Sequence, residues 1–251
     1  SNPNDTQTPF SNDIKTVFGA SDGTLWIGYQ NGFSQYVPES NTFHHYISGS
    51  NDIPNPGEVS AFAQTPDGVI WVATQSAGLI RVDPESQETS RRAHNPEDPN
   101  TRPAGWLERL AVDSDGHLWI TALHNGVTRY HPKTGEATHF QGNKQNTANE
   151  SSGYMSSNNA SDVFEDIYGR IWIGTDYGLN LFNPKTNEFI TFTTDGTNLE
   201  DNHILSVYQT REGRYWIGTM SGLTTGMRAL FRKFDSTHSN LSHESVNAFA
   251  E

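Results

Sequence analysis

"DGTLWIGYQNG" spans Asp22 to Gly32. It reads as a polar turn, a tryptophan between two apolar residues, a glycine, a short polar run and a second glycine. Nearly the same phrase returns around Trp71, Trp119, Trp172 and Trp216, at spacings of 45, 48, 53 and 44 residues. A sixth tryptophan, Trp106, lies outside this frame. Self-similarity at such a period marks a repeat architecture, so the unit has to be read before the fold.

Each unit opens with an apolar-patterned run: "IKTVFG" from Ile14, "VSAFAQ" from Val59, "LERLAV" from Leu107, "SDVFED" from Ser161 and "ILSVYQ" from Ile204. A turn ending in glycine, the tryptophan run, a short polar loop and a second glycine follow (Gly32, Gly78, Gly126, Gly178 or Gly222). A third run comes next, such as "GLNLF" from Gly178. In four units a proline turn then leads into a last run: "VPESNTF", "DPESQET", "HPKTGEA" and "NPKTNEF". The runs are short, rich in β-branched and aromatic residues, and bounded by Gly, Pro, Asn and Asp, which is strand chemistry. None has the length or period of a helix.

Four short strands per unit predict an all-β fold, a β-propeller of four-stranded antiparallel blades. The blades fall at about 14–47, 59–93, 107–140, 160–193 and 204–235. Residues 245–251, "SVNAFAE", match a first strand, giving five complete repeats plus the opening strand of a sixth. The chain is therefore expected to be a piece of a longer array, able to pair with a second copy through open blade edges. The turn glycines are expected at positive φ. The Asp-Gly turns are read as hairpin turns, since calcium loops need more acidic residues at alternate positions. Trp26 is expected to pack between blades, with Gly28 leaving room where they converge.

The 251 residues carry a formal charge of −13 and no cysteine. That balance argues against nucleic acid, which needs lysine and arginine to neutralise phosphates. No apolar run reaches the roughly 20 residues of a membrane span, so any membrane attachment belongs to segments absent from this chain. The ten histidines show no zinc spacing. No nucleophile or phosphate-loop motif occurs. No catalytic residue, metal or cofactor is expected.

"D-x-x-G-x-[LI]-W-I-G-T" followed by "GL" and "NPKT", best seen in "IWIGTDYGLNLFNPKT" from Ile171 to Thr186, resembles the two-component regulator propeller repeat. The resemblance runs from about Ile14 to Phe234. It implies the periplasmic sensor part of a membrane-anchored regulator whose output is a histidine kinase or diguanylate cyclase. Ala73 and Thr121 stand where the family prefers glycine. The fifth unit, "GLTTGMRALFRKF", lacks the Pro-Lys-Thr turn. The stretch "AVDSDGHLWITALHNG" from Ala111 is also similar to streptogramin lyase-type propellers, which implies a metal-dependent enzyme as an alternative. A protein-interaction propeller is the third possibility.

With the first strand innermost, the loops between strands two and three share one face with the connections between blades. Loops from several blades converge there, so a ligand is expected on that face. Its residues are Tyr29, Gln30, Asn31, Gln75, His124, Asn125, Asp176, Tyr177 and Met220. Trp106, just before the first strand of blade three, is expected either as an aromatic platform or as a plug under its loop. These side chains suit a polar small molecule or a saccharide.

Overall fold

The computed structural model describes residues 5–49, 53–95, 97, 98, 101, 105–143, 151–195, 197–227 and 230–234. The strand expected at 245–251 lies outside them. The described residues form an all-β chain of antiparallel sheets, the blades of a β-propeller. Blade one holds β1 (Thr16–Gly19), β2 (Leu25–Gly28), β3 (Gly32–Val37) and β4 (Thr42–Ile47). Blade two holds β5 (Val59–Gln64), β6 (Ile70–Thr74), β7 (Leu79–Val82) and β8 (Thr89–Arg92). Blade three holds β9 (Leu107–Val112), β10 (Leu118–Ala122), β11 (Gly126–Tyr130) and β12 (Ala137–Phe140). A short β13 (Ser151–Ser152) precedes blade four, which holds β14 (Ala160–Glu165), β15 (Ile171–Thr175), β16 (Gly178–Asn183) and β17 (Glu188–Phe192). Blade five holds β18 (Ile204–Gln209), β19 (Arg214–Thr219), β20 (Gly222–Met227) and β21 (Leu230–Phe234).

Within each blade the strands pair in chain order. The fifth unit forms its outer hairpin without the Pro-Lys-Thr turn, β20 pairing with β21 from Leu223↔Phe234 to Met227↔Leu230. Sequence patterning missed β13, which adds a fifth strand outside β17. Two serines carry no strand signal. The outer strand of blade one also meets its own chain, where Phe43 N–H donates to the Thr6 carbonyl at 2.8 Å. The chain divides into two compact units: residues 1–122 with 128–138, and 123–127 with 139–251.

The five turns between first and second strands share one hydrogen-bond pattern. In blade three Asp113 N–H donates to the His117 carbonyl at 3.0 Å and Gly116 N–H returns to the Asp113 carbonyl at 2.8 Å. The same pair closes the turns at Ala20, Thr65, Asp166 and Thr210. The glycine in each lies at φ between 73° and 85° (Gly23, Gly68, Gly116, Gly169, Gly213), where a side chain is strained. The acidic residue six places before the tryptophan has a second task. The indole N–H donates 2.8 Å to the carboxylate, from Trp119 to Asp113 and from Trp172 to Asp166. In blades one and two that place is held by Ala20 and Thr65, and the buried indole nitrogens of Trp26 and Trp71 meet no protein acceptor. Ala20→Asp should therefore supply one on a backbone already shaped for it. The expected gain is about 0.5–1.5 kcal/mol in chemical denaturation, the net worth of one hydrogen bond.

Blades pack by a repeated contact. Trp26 is fully buried and clusters with Ile70 and Val72, the residues flanking the next tryptophan. Trp71 meets Leu118 and Ile120 in the same way, and Trp172 meets Tyr215 and Ile217. Trp26 is thus a scaffold residue, as its repetition implies. On the opposite face of blade one, Leu25 and Val17 are exposed.

Polar staples join the innermost strands. Ser60 Oγ donates to the Leu107 carbonyl of the following blade at 2.5 Å, and Ser161 Oγ does so to Ile204 at 2.5 Å. At the turn end a glutamine closing the first strand bridges the joint. Gln64 accepts from Ser21 N–H of blade one at 2.8 Å and donates to the Gly68 carbonyl of its own turn at 3.1 Å. Gln209 accepts from Ile167 N–H at 2.8 Å and donates to Gly213 at 3.2 Å. Between blades two and three the matching residues are Pro66, which has no N–H, and Val112, which has no side-chain acceptor.

Candidate functional site

The third residue after each repeat tryptophan is buried: Tyr29, Thr74, Ala122, Thr175 and Thr219 are all at most 1% exposed. In three blades this residue is a threonine whose Oγ1 donates across the loop to the glycine carbonyl, Thr74 to Gly78 at 2.7 Å, Thr175 to Gly178 at 2.9 Å and Thr219 to Gly222 at 2.8 Å. The threonine and the glycine bracket the loop and hold it at constant width. Thr175→Val keeps the shape and removes a buried hydroxyl that also meets Ser156 Oγ at 2.8 Å and accepts from Tyr177 N–H at 3.1 Å, so a loss of about 1 kcal/mol is expected in urea unfolding.

This corrects the expectation for Tyr29. It occupies the bracket position, not the loop tip. Its ring lies 5.9 Å from Phe10 and burial pushes its hydroxyl pKa up. A ligand on the surface does not reach it. The tips proper are the residues between bracket and glycine. Gln30 and Asn31 are exposed, Gln75 is half-buried, and Tyr177 and Met220 are exposed. Backbone N–H groups of Gln75, Asp176 and Met220 all donate to the residue just before their blade's first strand, Glu58, Asn159 and His203, at 3.0–3.1 Å. These tips are therefore displayed from one repeated backbone position. Trp106 is 53% exposed and presents an aromatic surface beside β9.

The second compact unit brings two of the expected residues together through one that the sequence did not single out. Asn159 Nδ2 donates to Asp176 Oδ2 at 2.8 Å, which turns its Oδ1 to His124 Nδ1 at 2.6 Å. Since Oδ1 only accepts, Nδ1 of His124 carries the hydrogen and Nε2 is left as an acceptor. The Asn159 backbone is tied by Ser157 Oγ at 3.1 Å. His124 has φ 60°. Among the described residues the other non-glycine positions with positive φ, Asn41, Gln87 and Asn187, all stand three places after the proline of the outer turn. His124 is the exception, a strained residue in a loop tip. Asn125 folds back on the Leu123 carbonyl at 2.9 Å and is only half-exposed. Asn159 is invisible to a single sequence because it lies in a connection without repeat constraint.

Five blades built on one tryptophan phrase, with differing tips held on a fixed frame, define a repeat-built β-propeller. The model of the two component regulator propeller family matches residues 53–76, 154–177 and 198–221. The second and third matched segments end at the residue just before the second glycine, Tyr177 and Ser221, and the first ends at Ser76, two places before Gly78. Among curated proteins no sequence matches the chain. Among solved structures, the extracellular domain of one hybrid two component system from B. thetaiotaomicron is 24% identical, with a TM-score of 0.56, over 95% of this chain and 37% of that one. A second such domain from B. thetaiotaomicron is 20% identical, with a TM-score of 0.68, over 90% of this chain and 30% of that one. Virginiamycin B lyase from Staphylococcus aureus is 12% identical, with a TM-score of 0.68, over 91% and 72%. These likenesses show the fold. The chain spans about a third of the length of the two extracellular domains.

Proposed function

We propose that this chain is an extracytoplasmic sensor segment of a bacterial signal-transduction regulator and that its loop face binds a polar small molecule or saccharide. The family of its repeats and the extracellular domains that share its fold support the setting. The observation that carries the ligand reading is the His124–Asn159–Asp176 chain. It fixes one imidazole tautomer on an exposed, strained tip and offers Nε2 to a ligand hydroxyl. Rigid placement of a polar group is what a binding site requires and a solvated loop does not.

A thermal-shift screen against neutral oligosaccharides tests this. A bound sugar at about 100 times its Kd stabilises the chain by about 2.7 kcal/mol. His124→Ala and Asp176→Asn should each weaken that response about tenfold in affinity, the worth of a lost hydrogen bond to an oriented group. Stabilisation by no member of the panel, or stabilisation that ignores both substitutions, would reject the reading.

A further inference from the structure

The joint between blades two and three has lost its glutamine staple, and there a cleft of about 210 Å³ opens. It lies at the turn end of the blades, away from the loop tips, and wholly within the first compact unit. Three turns line it, contributing Pro66 and Asp67 from β5–β6, Asp115 from β9–β10, and His131, Pro132 and Lys133 from β11–β12. At the joints where glutamine bridges, the donor (Ser21 or Ile167) and the acceptor (Gln64 or Gln209) are present together. Here both are absent together, as Pro66 and Val112. The turns still approach closely: a Cβ on Gly116 would lie 3.8 Å from Pro66 Cδ.

The lining offers both hydrogen-bond polarities. Asp67 and Asp115 accept. Asp67 is held by Thr65 Oγ1, which donates to its Oδ1 at 2.6 Å. Lys133 donates. His131 Nδ1 accepts from the backbone N–H groups of Lys133 and Thr134, both at 3.2 Å, so its hydrogen sits on Nε2 and that nitrogen is a donor. The two prolines add apolar surface without adding donors. An anion would face two carboxylates, a cation would face the lysine, and an apolar group would strip water from all of them. Hydroxyl groups both donate and accept. The volume, below the roughly 300–1,000 Å³ of drug-sized pockets, limits the occupant to about one ring.

We infer that this cleft is a second binding site, independent of the loop face, for a neutral polyhydroxyl ligand of monosaccharide size. Saturation-transfer NMR with glucose, galactose and N-acetylglucosamine, each added alone to the intact chain, reads it directly. At least one should give transfer signals at millimolar concentration. Asp115→Asn, an exposed position, should lower affinity about tenfold. Pro66→Ser with Val112→Gln, which rebuilds the staple of the other joints across the cleft, should abolish the signals. Amide shifts recorded in parallel at Gly116, Lys133 and Thr134 report this cleft, those at Asp176 and Tyr177 report the loop face, and only transfer accompanied by shifts at the turn amides counts here, so failure here and failure of the loop-face reading are told apart. Absence of transfer from all three sugars, signals that survive the rebuilt staple, or signals unaffected by Asp115→Asn would overturn the proposal. Should the rebuilt-staple variant fail to fold, the Asp115→Asn titration decides alone.

Discussion

Asp166→Ala is expected to destabilise the chain by about 3 kcal/mol, measured as a fall in urea midpoint at constant slope. The Asp166 side chain is fully buried and accepts from three side chains: Tyr215 Oη at 2.6 Å, Arg170 Nε at 2.7 Å and Trp172 Nε1 at 2.8 Å. Arg170 also donates to Tyr215 at 2.6 Å and lies over the Tyr168 and Trp172 rings. The carboxylate thus ties the blade four turn to β19 of blade five. Removing it strands two buried donors, while the half-exposed guanidinium regains water and softens the loss. Asp67→Ala, at an exposed turn acid in blade two, is the control and should cost far less.

The same group sets a pH window. Burial by itself would push the Asp166 carboxyl pKa up, and the hydrogen bonds from Tyr215, Trp172 and Arg170 outweigh it, holding the pKa below the ordinary 3.8. A folded value below the unfolded one stabilises at pH above 3.8 and is lost as pH falls through the folded value. Burial and the Asp166 carboxylate push the Tyr215 hydroxyl up from 10.0 to about 12. That contribution is whole below pH 10 and is lost as pH rises toward 12. Stability measured against pH should show both limbs. Asp166→Asn should flatten the acid limb and Tyr215→Phe the alkaline one.

Gly174→Ala is the second large effect, about 1–3 kcal/mol by overpacking. A Cβ there would lie 2.7 Å from Ile204 Cγ2 and 3.2 Å from Ile204 Cβ. At the matching place in blade one, a Cβ on Gly28 would lie 2.7 Å from Val59 Cγ1. The neighbour is β-branched in both cases. Blade two has Ala73 there, and its neighbour is Leu107, unbranched at Cβ, in the same core cluster. Ile204→Leu should therefore recover much of the loss caused by Gly174→Ala in a double-mutant cycle. Simple additivity of the two substitutions would contradict this account of the joint.

That exchange shows how much the sequence disclosed. The tryptophans and turn glycines announced the blades, because a repeated fold imposes the same steric demand five times. Ala73 reads as a departure until Leu107 is seen against it. Thr121 likewise acquires a reason only in space, where its Oγ1 accepts from Arg109 N–H at 3.0 Å. The loop tips were legible as variable, but the edge of the variable region was not. Tyr29 differs from the threonines found at its place in other blades, is as buried as they are, and reaches the Gly32 carbonyl through its backbone N–H at 3.0 Å. The acid six places before Trp119 and Trp172 was visible as part of a turn, while its bond to the indole needs the strand to bring the ring back over the turn. The Asn159 bridge and the cleft beside Pro66 depend on connections and on a residue that is missing, and no pattern marks an omission.

The bracket formed by Thr175 and Gly178, and its counterparts, separates what the blade needs from what the loop tip displays. Between the two lie only Asp176 and Tyr177, or Met220 and Ser221 in the fifth blade. Each pair is a cassette that can be exchanged without touching a buried contact of the bracket. Blades two and three have three residues there, Gln75–Ala77 and Leu123–Asn125, so a library randomising the exposed tip positions of the five blades at once should yield mostly folded members. Such a chain can acquire new specificities by duplication and point change while its architecture stays fixed, which makes the scaffold a ready starting point for engineered binders.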